Sequence, residues 1–302
     1  MPEIAIVLNP RAGRGAGQKM RPRLEKWLAA ESMDAQILVT EHRGHATELA
    51  RAATGNGAEI VVAAGGDGTL GEVLNGIWGT NVKLGILPLG TGNDFARTLS
   101  IGADLELGLK VLKDGFSRRV DVGTVEIEGK SRFFLNVAGA GFDSRCAMRI
   151  NEHRPQILSK MSGPSAYLVA VASELMSLKS AQLKLELDGK LIEERAVLCA
   201  IANAKSYGGG MKVAPDAQID DGLLDVCLIK DLGALQFARA FPGVFRGKHI
   251  HHPKVEMFRA SKVTLESEPP LPVLVDGDIF GVTPAQFEIF AGAVEVVAPL
   301  EG

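Results

Sequence analysis

The first 120 residues alternate short apolar runs with helical patterns, and this alternation constrains the fold more than any other feature. The apolar runs are Ile4–Leu8, Ala35–Thr40, Ala58–Ala64 and Lys83–Leu89. Strands that are apolar throughout are typically buried on both faces, as in a parallel sheet covered by helices. The sequence therefore predicts an α/β domain with a parallel sheet over residues 1–121.

After about Val120 the pattern changes, and strand-like stretches follow one another with few helices between them. A helix is predicted from Pro164 to about Lys179, and a second, short helix over Ala234–Phe241. Successive strands predict a β-rich antiparallel sandwich or barrel. We place the boundary near Asp121 and assign residues 122–302 to the second domain, with its C-terminal tail free to return to the first.

Composition and charge exclude several classes of function. The net charge is −3, and neither a basic surplus nor a nucleic-acid-binding motif is present, so no nucleic-acid partner is predicted. The three cysteines are far apart and lack metal-like or redox spacing. The N-terminus has no basic residues before its apolar run and does not resemble a signal peptide, so we expect a cytoplasmic protein.

Three loops of unusual composition follow strands of the predicted parallel sheet, where ligands of such sheets bind. We call them the glycine loops: Asn9–Gly17, Gly65–Thr69 and Pro88–Arg97. The first has glycines and arginines that suit phosphate, but its spacing matches neither the P-loop nor the dinucleotide fingerprint. A flexible strand-to-helix turn explains that loop equally well.

The second glycine loop, GGDGT, indicates an anion site with a carboxylate inside it. Gly65, Gly66 and Gly68 leave backbone amides unobstructed, and Thr69 is predicted to cap the next helix. Asp67 would repel phosphate unless it binds a metal, holds metal-bound water or transfers a proton. The alternative is that Asp67 is only a cap or turn residue.

The third glycine loop, PLGTGNDFAR, again places glycines before a helix, with Thr91, Asn93 and Asp94 near its start. Helix capping by Asn93 or Asp94 would explain one of these residues. It does not explain the whole cluster.

Two acidic turns stand out in the second half. AQIDDGLLDV carries Asp220, Asp221 and Asp225, and its oxygens suit a hard cation, although a plain Asp-Gly turn explains most of it. LVDGDIFG carries Asp276 and Asp278, which share a face if they lie in one strand. A hairpin turn of the Asp-Gly type is the alternative.

The histidine-rich stretch KHIHHP (residues 248–253) has the residue types of a transition-metal site. An exposed polar loop is the favoured interpretation.

Taken together, these stretches resemble the diacylglycerol kinase catalytic-domain family, especially its soluble bacterial lipid kinases; sphingosine and ceramide kinases are relatives. The matching motifs occur in the same order as in the family and cover nearly the whole chain. They are NPRAG, GGDGTLGEVLNG, LPLGTGNDFAR, NVAGAGFDS, YGGGMKVAPDAQIDDGLLDV, VDGD and FAGAVEVVAP.

The resemblance implies a nucleotide-kinase-like α/β domain, a β-rich domain and an active site between them. It implies a Mg²⁺ ion held by the Asp221 carboxylate and the backbone carbonyls of Gln218 and Leu223. It makes Asp278 the proton acceptor, with Asp276 organising metal or water and Asp67 also catalytic. The ATP contacts that it implies are Asn9, Pro10, Arg11, Ala12, Gly13, Thr40, Gly65, Gly66, Asp67, Gly68, Thr69, Leu70, Gly71 and Thr91.

Two positions depart from the family pattern. Gly71 stands where an asparagine is usual after GGDGTL, which puts one polar contact in doubt. Asp278 stands where bacterial members commonly carry glutamate, so its carboxylate is set back by about one methylene group.

The resemblance implies an ATP-dependent lipid kinase that works at a membrane surface as a peripheral protein, with diacylglycerol as the favoured acceptor, and it allows a homodimer. Two alternatives stay open. One is an NAD kinase or another small-molecule kinase with a GGDG loop. The other is a nucleotide-binding regulator that has lost catalysis.

Overall fold

The computed structural model describes residues 3–152, 171, 173–175 and 177–300, so most of the helix predicted from Pro164 to about Lys179 lies outside the described residues. The chain divides into two compact units. The N-terminal unit comprises Met1–Val122 and Gly292–Gly302, and the C-terminal unit comprises Gly123–Ala291. The chain therefore leaves the first unit once and returns to it at its end.

The N-terminal unit contains a parallel sheet with strand order β2-β1-β3-β4. Strands β1, β3 and β4 are buried almost throughout because they consist largely of apolar residues, whereas β2, at the end of this order, is mostly half-buried. The elements are β1 (Ile4–Leu8), α1 (Ala12–Ala30), β2 (Ala35–Val39), α2 (His45–Gly55), β3 (Ile60–Gly65), α3 (Asp67–Ile77), β4 (Lys83–Pro88), α4 (Asp94–Thr98) and α5 (Leu105–Asp114).

Helix α5 was not among the predicted elements, although its start carries a local signal. The Asp104 carboxylate accepts hydrogen bonds from the backbone N–H groups of Glu106 and Leu107 at 3.0 and 3.2 Å. This is the capping arrangement that favours aspartate immediately before a helix. Gly115 ends the helix in the left-handed conformation.

The C-terminal unit is built from antiparallel strands, in the order β14-β13-β7-β9-β8-β12-β15, with β10 and β11 branching from β9. The elements that begin in this unit are β6 (Lys130–Phe134), β7 (Val137–Gly141), α6 (Phe142–Glu152), β8 (Ala181–Leu187), β9 (Lys190–Ala202), β10 (Leu224–Lys230), α7 (Ala234–Ala240), β11 (Val255–Ala260), β12 (Lys262–Glu268), β13 (Pro272–Val275), β14 (Asp278–Val282) and β15 (Ala285–Val297).

Two strands contribute to both units, namely β5 (Ser117–Ile127) and β15. The end of β15 pairs in parallel with β4 through Val296 and Leu84. The predicted combination of a parallel α/β part and an antiparallel β-rich part is confirmed. Among the described residues, no helix combines the length and the apolar character needed to cross a bilayer.

Candidate active site

The structure brings the three glycine loops together at the carboxyl ends of β1, β3 and β4. Their backbones approach so closely that side chains would not fit. A Cβ atom added to Gly90 would lie 2.5 Å from the Cα atom of Gly66, and one added to Gly13 would collide with the carbonyl of Leu89. The glycines at these positions are therefore required by contacts between neighbouring loops.

A side-chain hydrogen bond joins the first glycine loop to the second. The Nδ2 atom of Asn9 donates to the Oγ1 atom of Thr69 at 3.0 Å. The prediction that Thr69 caps α3 is wrong, because Gly66 is the N-cap residue and Thr69 lies inside the helix without a capping bond. Thr69 instead fixes Asn9, whose own Oδ1 atom accepts a hydrogen bond from the backbone N–H of Arg11 at 3.0 Å.

Asp67 joins the second glycine loop to the third. Its Oδ1 atom accepts hydrogen bonds from the backbone N–H groups of Asp94 (2.8 Å) and Phe95 (3.3 Å), so its carboxylate caps α4. Burial, followed by the charge of Asp94, raises the pKa of Asp67 above its ordinary value. A carboxylate with a raised pKa, inside a glycine cradle, is suited to proton transfer or to cation binding.

The first glycine loop borders an open, basic groove. Gly13, Arg14 and Gly15 all have positive φ angles, which is costly for Arg14. The groove is lined by Leu8, Pro10, Arg11, Arg14, Gly15, Gln18, Arg21 and Val39. Three guanidinium groups in one groove suit a phosphate chain.

The other predicted nucleotide contacts differ in their exposure. Thr91 and Gly68 are exposed, whereas Thr40, Leu70 and Ala12 are buried. Gly71 lies buried in α3, and its carbonyl accepts a hydrogen bond from the Asn75 side chain at 2.7 Å. The position at which the family usually has asparagine is therefore inside the helix packing.

The acidic turn of the C-terminal unit offers only oxygen donors to a cation. The Asp221 Oδ1 atom accepts the backbone N–H of Leu223 at 3.1 Å, and Oδ2 pairs with Arg259. In the described part of the chain, the carbonyls of Gln218 and Leu223 accept no backbone hydrogen bond.

Asp225 places a carboxylate oxygen that lacks a hydrogen-bond partner among the described residues beside this turn. Its Oδ2 atom is buried and has no hydrogen-bond partner among the described residues, and Arg259 lies 3.7 Å from Oδ1. Burial, followed by the charge of Asp216, raises the pKa of Asp225 to about 6. This donor set fits a hard divalent cation such as Mg²⁺. In the structure, the Arg259 guanidinium supplies the positive charge next to Asp221 and Asp225.

Asp276 and Asp278 lie on a two-residue hairpin and not along one strand. Asp276 and Gly277 both have positive φ angles, and Val275 pairs with Asp278. This is the Asp-Gly turn that the sequence left as an alternative. The Asp278 Oδ2 atom lies 3.1 Å from an Arg132 guanidinium nitrogen, and both side chains are partly exposed.

The Asp276 carboxylate holds the start of β7. It accepts hydrogen bonds from the backbone N–H groups of Leu135, Asn136 and Val137, each at 3.1 Å. Three such bonds give the carboxylate a structural task at this turn. Sequence analysis overlooked Asn136, whose buried Oδ1 atom lacks a hydrogen-bond partner in the described ranges. Its place in NVAGAGFDS was the available signal.

The C-terminal unit also contains an apolar cavity, which sequence analysis did not predict. The space inside it that a water-sized molecule can occupy is about 50 Å³. Its walls come from the start of α6, from β9 and the loop after it, from β10 and from the segment after β10. They are formed by Phe142, Asp143, Leu198, Tyr207, Met211, Val213, Ile229, Leu232, Phe237, Ala240, Phe241, Val244, His249, His252 and Val255.

Polar groups on two walls interrupt the apolar surface of the cavity. The Tyr207 hydroxyl donates to the Asp143 Oδ2 atom at 3.1 Å, and the backbone N–H of Ser144 donates to Oδ1 at 2.7 Å. Burial raises the pKa of Asp143 to about 6. An apolar cavity with a single hydrogen-bonded carboxyl group suits a ligand with a hydrocarbon body and a polar head.

His249 is the second polar group, and the favoured interpretation of KHIHHP as an exposed loop is wrong for this residue. His249 is buried, and its Nε2 atom donates to the Val213 carbonyl at 3.1 Å. Burial lowers the pKa of His249, and its Nδ1 atom has no hydrogen-bond partner in the described part of the chain. A transition-metal site at this stretch is not supported, because one of its imidazoles faces the core.

Comparisons with known proteins agree with both units. Residues 3–125 match the family model described as diacylglycerol kinase catalytic domain. Residues 136–298 match the one described as YegS C-terminal NAD kinase beta sandwich-like domain.

Relatives of known name cover nearly the whole chain. A diacylglycerol kinase of Staphylococcus carnosus is 31% identical over 97% of this chain and 94% of its own length. One from Staphylococcus aureus is 32% identical over 97% of this chain and 91% of its own. The crystal structure of a diacylglycerol kinase from Bacillus anthracis superposes with a TM-score of 0.75 at 25% identity, covering 99% of this chain and 97% of that one.

Proposed function

Because this chain belongs to the diacylglycerol kinase family, we propose that it transfers the γ-phosphoryl group of ATP to the hydroxyl of a lipid. Diacylglycerol is the favoured acceptor, and the products are then phosphatidic acid and ADP. The observation that carries the lipid assignment is the apolar cavity with its buried Asp143 carboxyl group. ATP as phosphate donor follows from the kinase family.

In this proposal, the glycine loops bind the nucleotide. The loops and the arginines of the adjoining groove bind the phosphates, and the close contacts between the loops fix the geometry in advance. Asp67 is suited to bind a cation or to handle a proton beside the phosphates, because it is held by two backbone amides and its pKa is raised.

The acidic turn takes the role of a Mg²⁺ site, with the Asp221 carboxylate and the carbonyls of Gln218 and Leu223 as ligands. When bound, Mg²⁺ supplies positive charge that offsets the charge of acidic groups around it. Asp225 gains most from such an ion, because its buried Oδ2 atom has no partner among the described residues.

Asp278 takes the role of proton acceptor. Arg132 orients its carboxylate at 3.1 Å, and the Asp276–Gly277 turn sets where β14 begins. The lipid hydroxyl gives its proton to this carboxylate as its oxygen attacks the γ-phosphorus, and the bond between that phosphorus and ADP breaks. The enzyme then works at a membrane surface as a peripheral cytoplasmic protein.

An NAD kinase is the second candidate, because the match to residues 136–298 carries NAD kinase in its description. The cavity argues against it. Its wall is almost wholly apolar, whereas a nucleotide acceptor needs hydrogen-bonding groups for its base, ribose and phosphates. A regulator without catalysis is disfavoured because Asp67, Asp276 and Asp278 are all present.

The test is labelled ATP offered with mixed micelles of diacylglycerol, monoacylglycerol, phosphatidylglycerol or a sphingoid base, and separately with NAD. We expect label in a lipid, with diacylglycerol labelled fastest. Turnover with NAD alone would overturn the lipid assignment, and nucleotide binding without any turnover would favour the regulator.

Two substitutions test the proton acceptor within the same assay. Asp278→Ala should lose most of the turnover while the protein stays folded. Asp278→Glu, which restores the residue common in bacterial relatives, should keep it. Near-normal turnover in Asp278→Ala would require another proton acceptor.

A further inference from the structure

The segment that follows β10 has a charge unlike that of the rest of the chain. We call Leu232–Val255 the docking segment. It carries Arg239, Arg246, Lys248 and Lys254 and contains no aspartate or glutamate, whereas the whole chain has 36 acidic and 33 basic residues. Among the described residues, no ion pair involves Arg239, Arg246 or Lys248, whereas Lys254 lies close enough to Glu194 to help lower the pKa of that carboxylate. The charges of the first three side chains are available to a partner with anionic groups.

The docking segment also exposes large apolar side chains between these cations. Leu235 on α7 is 64% exposed, and Phe245 on the following 3₁₀ helix (Phe241–Arg246) is 45% exposed. Leu235 and Arg239 are four residues apart on α7 and therefore share one face. Exposed apolar residues beside basic ones are the composition of a surface that lies in a lipid headgroup layer.

A chain of aromatic rings links this exposed surface to the apolar cavity. The ring of Phe245 lies 6.2 Å from that of Phe241, which lies 6.0 Å from Phe237, and Phe237 lies 4.6 Å from Phe142. Phe241, Phe237 and Phe142 line the cavity, whereas Phe245 does not. The apolar surface is thus continuous from exposed Phe245 to the cavity interior.

We propose that the docking segment is the surface by which this protein binds an anionic bilayer, with Leu235 and Phe245 entering the headgroup layer and its cations contacting lipid phosphates. The inference rests on the proposed function, because the reason for binding a bilayer is that a lipid acceptor must leave it to reach the cavity. The bilayer is favoured over a second copy of the chain because exposed apolar side chains lie between the cations, as on surfaces that enter an anionic headgroup layer, and because aromatic rings lead from this surface to the cavity.

The test is sedimentation with vesicles of phosphatidylcholine alone and of phosphatidylcholine with phosphatidylglycerol. The test variant is Leu235→Gln with Phe245→Gln. The matched control is Leu191→Gln with Phe116→Gln, which replaces side chains of similar exposure, 60% and 45%, on other elements. We expect wild type and control to bind the anionic vesicles, and the test variant to bind at least about tenfold more weakly.

Turnover of dioctanoylglycerol, dispersed as monomers, separates this inference from the proposed function. The test variant should phosphorylate it as fast as wild type, because neither substituted residue lines the cavity. Unchanged vesicle binding by the test variant would overturn the docking segment even if lipid turnover is found. Equal binding to neutral and anionic vesicles would also overturn it. A dimer in light scattering that the test variant alone disrupts would assign the surface to a second copy instead.

Discussion

The glycine loops and the apolar cavity, to which we assign the nucleotide and the lipid, differ in the part of the chain that forms them. The loops consist of main chain, and an added Cβ atom at Gly90 or Gly13 would collide with a neighbouring backbone. The cavity consists of side chains gathered from between Phe142 and Val255. The first surface should therefore fail when a single methyl group is added, whereas the second should respond in proportion to the volume changed.

The largest expected effect tests whether Asp67 is more than a helix cap. Asp67→Asn keeps an oxygen that accepts from the N–H groups of Asp94 and Phe95, but it removes the carboxylate. We expect turnover to fall by roughly 10³-fold, in the range of a lost acid–base group. The melting temperature should change little, since Asn and Asp cap helices about equally.

Asp104→Asn is the matched control for that substitution. Asp104 also accepts two backbone N–H groups at a helix start, in the same unit, but on an exposed surface. Its turnover should equal that of wild type. Near-normal turnover in Asp67→Asn would show that Asp67 serves only as a cap and would leave the glycine loops without a charged catalytic group.

The second effect concerns the carboxyl group in the cavity and its pH dependence. The pKa of Asp143 is about 6 in the folded protein, against an ordinary value of 3.8, because burial disfavours its charge. The folded state therefore binds this proton more tightly than the unfolded state. Stability from this group is present below about pH 4 and is lost as the pH rises to about 6, by up to about 3 kcal/mol.

Urea unfolding of wild type and Asp143→Asn between pH 4 and 8 measures this difference. The wild-type free energy of unfolding should fall across pH 4 to 6 relative to that of the variant, and the two should run parallel above pH 7. The comparison subtracts other groups with raised pKa values, such as Asp225. Identical pH profiles would mean that Asp143 is solvated in the folded state.

The third effect tests the close contact between Gly66 of the second glycine loop and Gly90 of the third. Gly90→Ala places a Cβ atom 2.5 Å from the Gly66 Cα atom and 2.7 Å from the Asn93 Oδ1 atom. Separating the loops by part of an ångström should cost about 10²-fold in turnover with ATP. Gly55→Ala, at the end of α2 with open space around it, is the control and should leave kinetics unchanged. Equal activity of the two variants would contradict the contact.

The smallest effect tests the cavity by filling it. Ala240→Trp adds volume at a cavity-lining position, whereas Ala238→Trp adds the same group at an exposed position of the same helix. We expect the KM for dispersed long-chain diacylglycerol to rise about tenfold in the first variant, a change of about 1.4 kcal/mol, and not in the second. An equal KM in both would place the acyl chains elsewhere.

The fold was largely predictable because both of its patterns are local. The apolar run Ile4–Leu8 coincides with β1, and the other predicted strands of the parallel sheet differ from the observed ones by one or two residues at their ends. The short helix predicted after β10 is observed as α7. Helix α5 was missed even though Asp104 and Gly115 flank it with capping residues.

The candidate site was predictable only where its residues are close in sequence. GGDGT and GTGND are short motifs, so their glycines and carboxylates could be recognised directly in the sequence. The cavity depends on contacts such as Tyr207 with Asp143, which are 64 residues apart, and no periodicity connects such positions. The cap that Asp67 provides to α4 spans 28 residues and was likewise invisible.

The contact between Gly66 and Gly90 has a consequence for how this protein could change. A side chain at either position would press against the other glycine. No series of single substitutions can therefore introduce a side chain into one loop before the other. Selection for activity from a library that randomises both positions should recover glycine at both. Selection from a library that randomises cavity residues should recover many active combinations. Under the proposed function, the choice of lipid can therefore change through single substitutions, whereas the way the nucleotide is bound cannot.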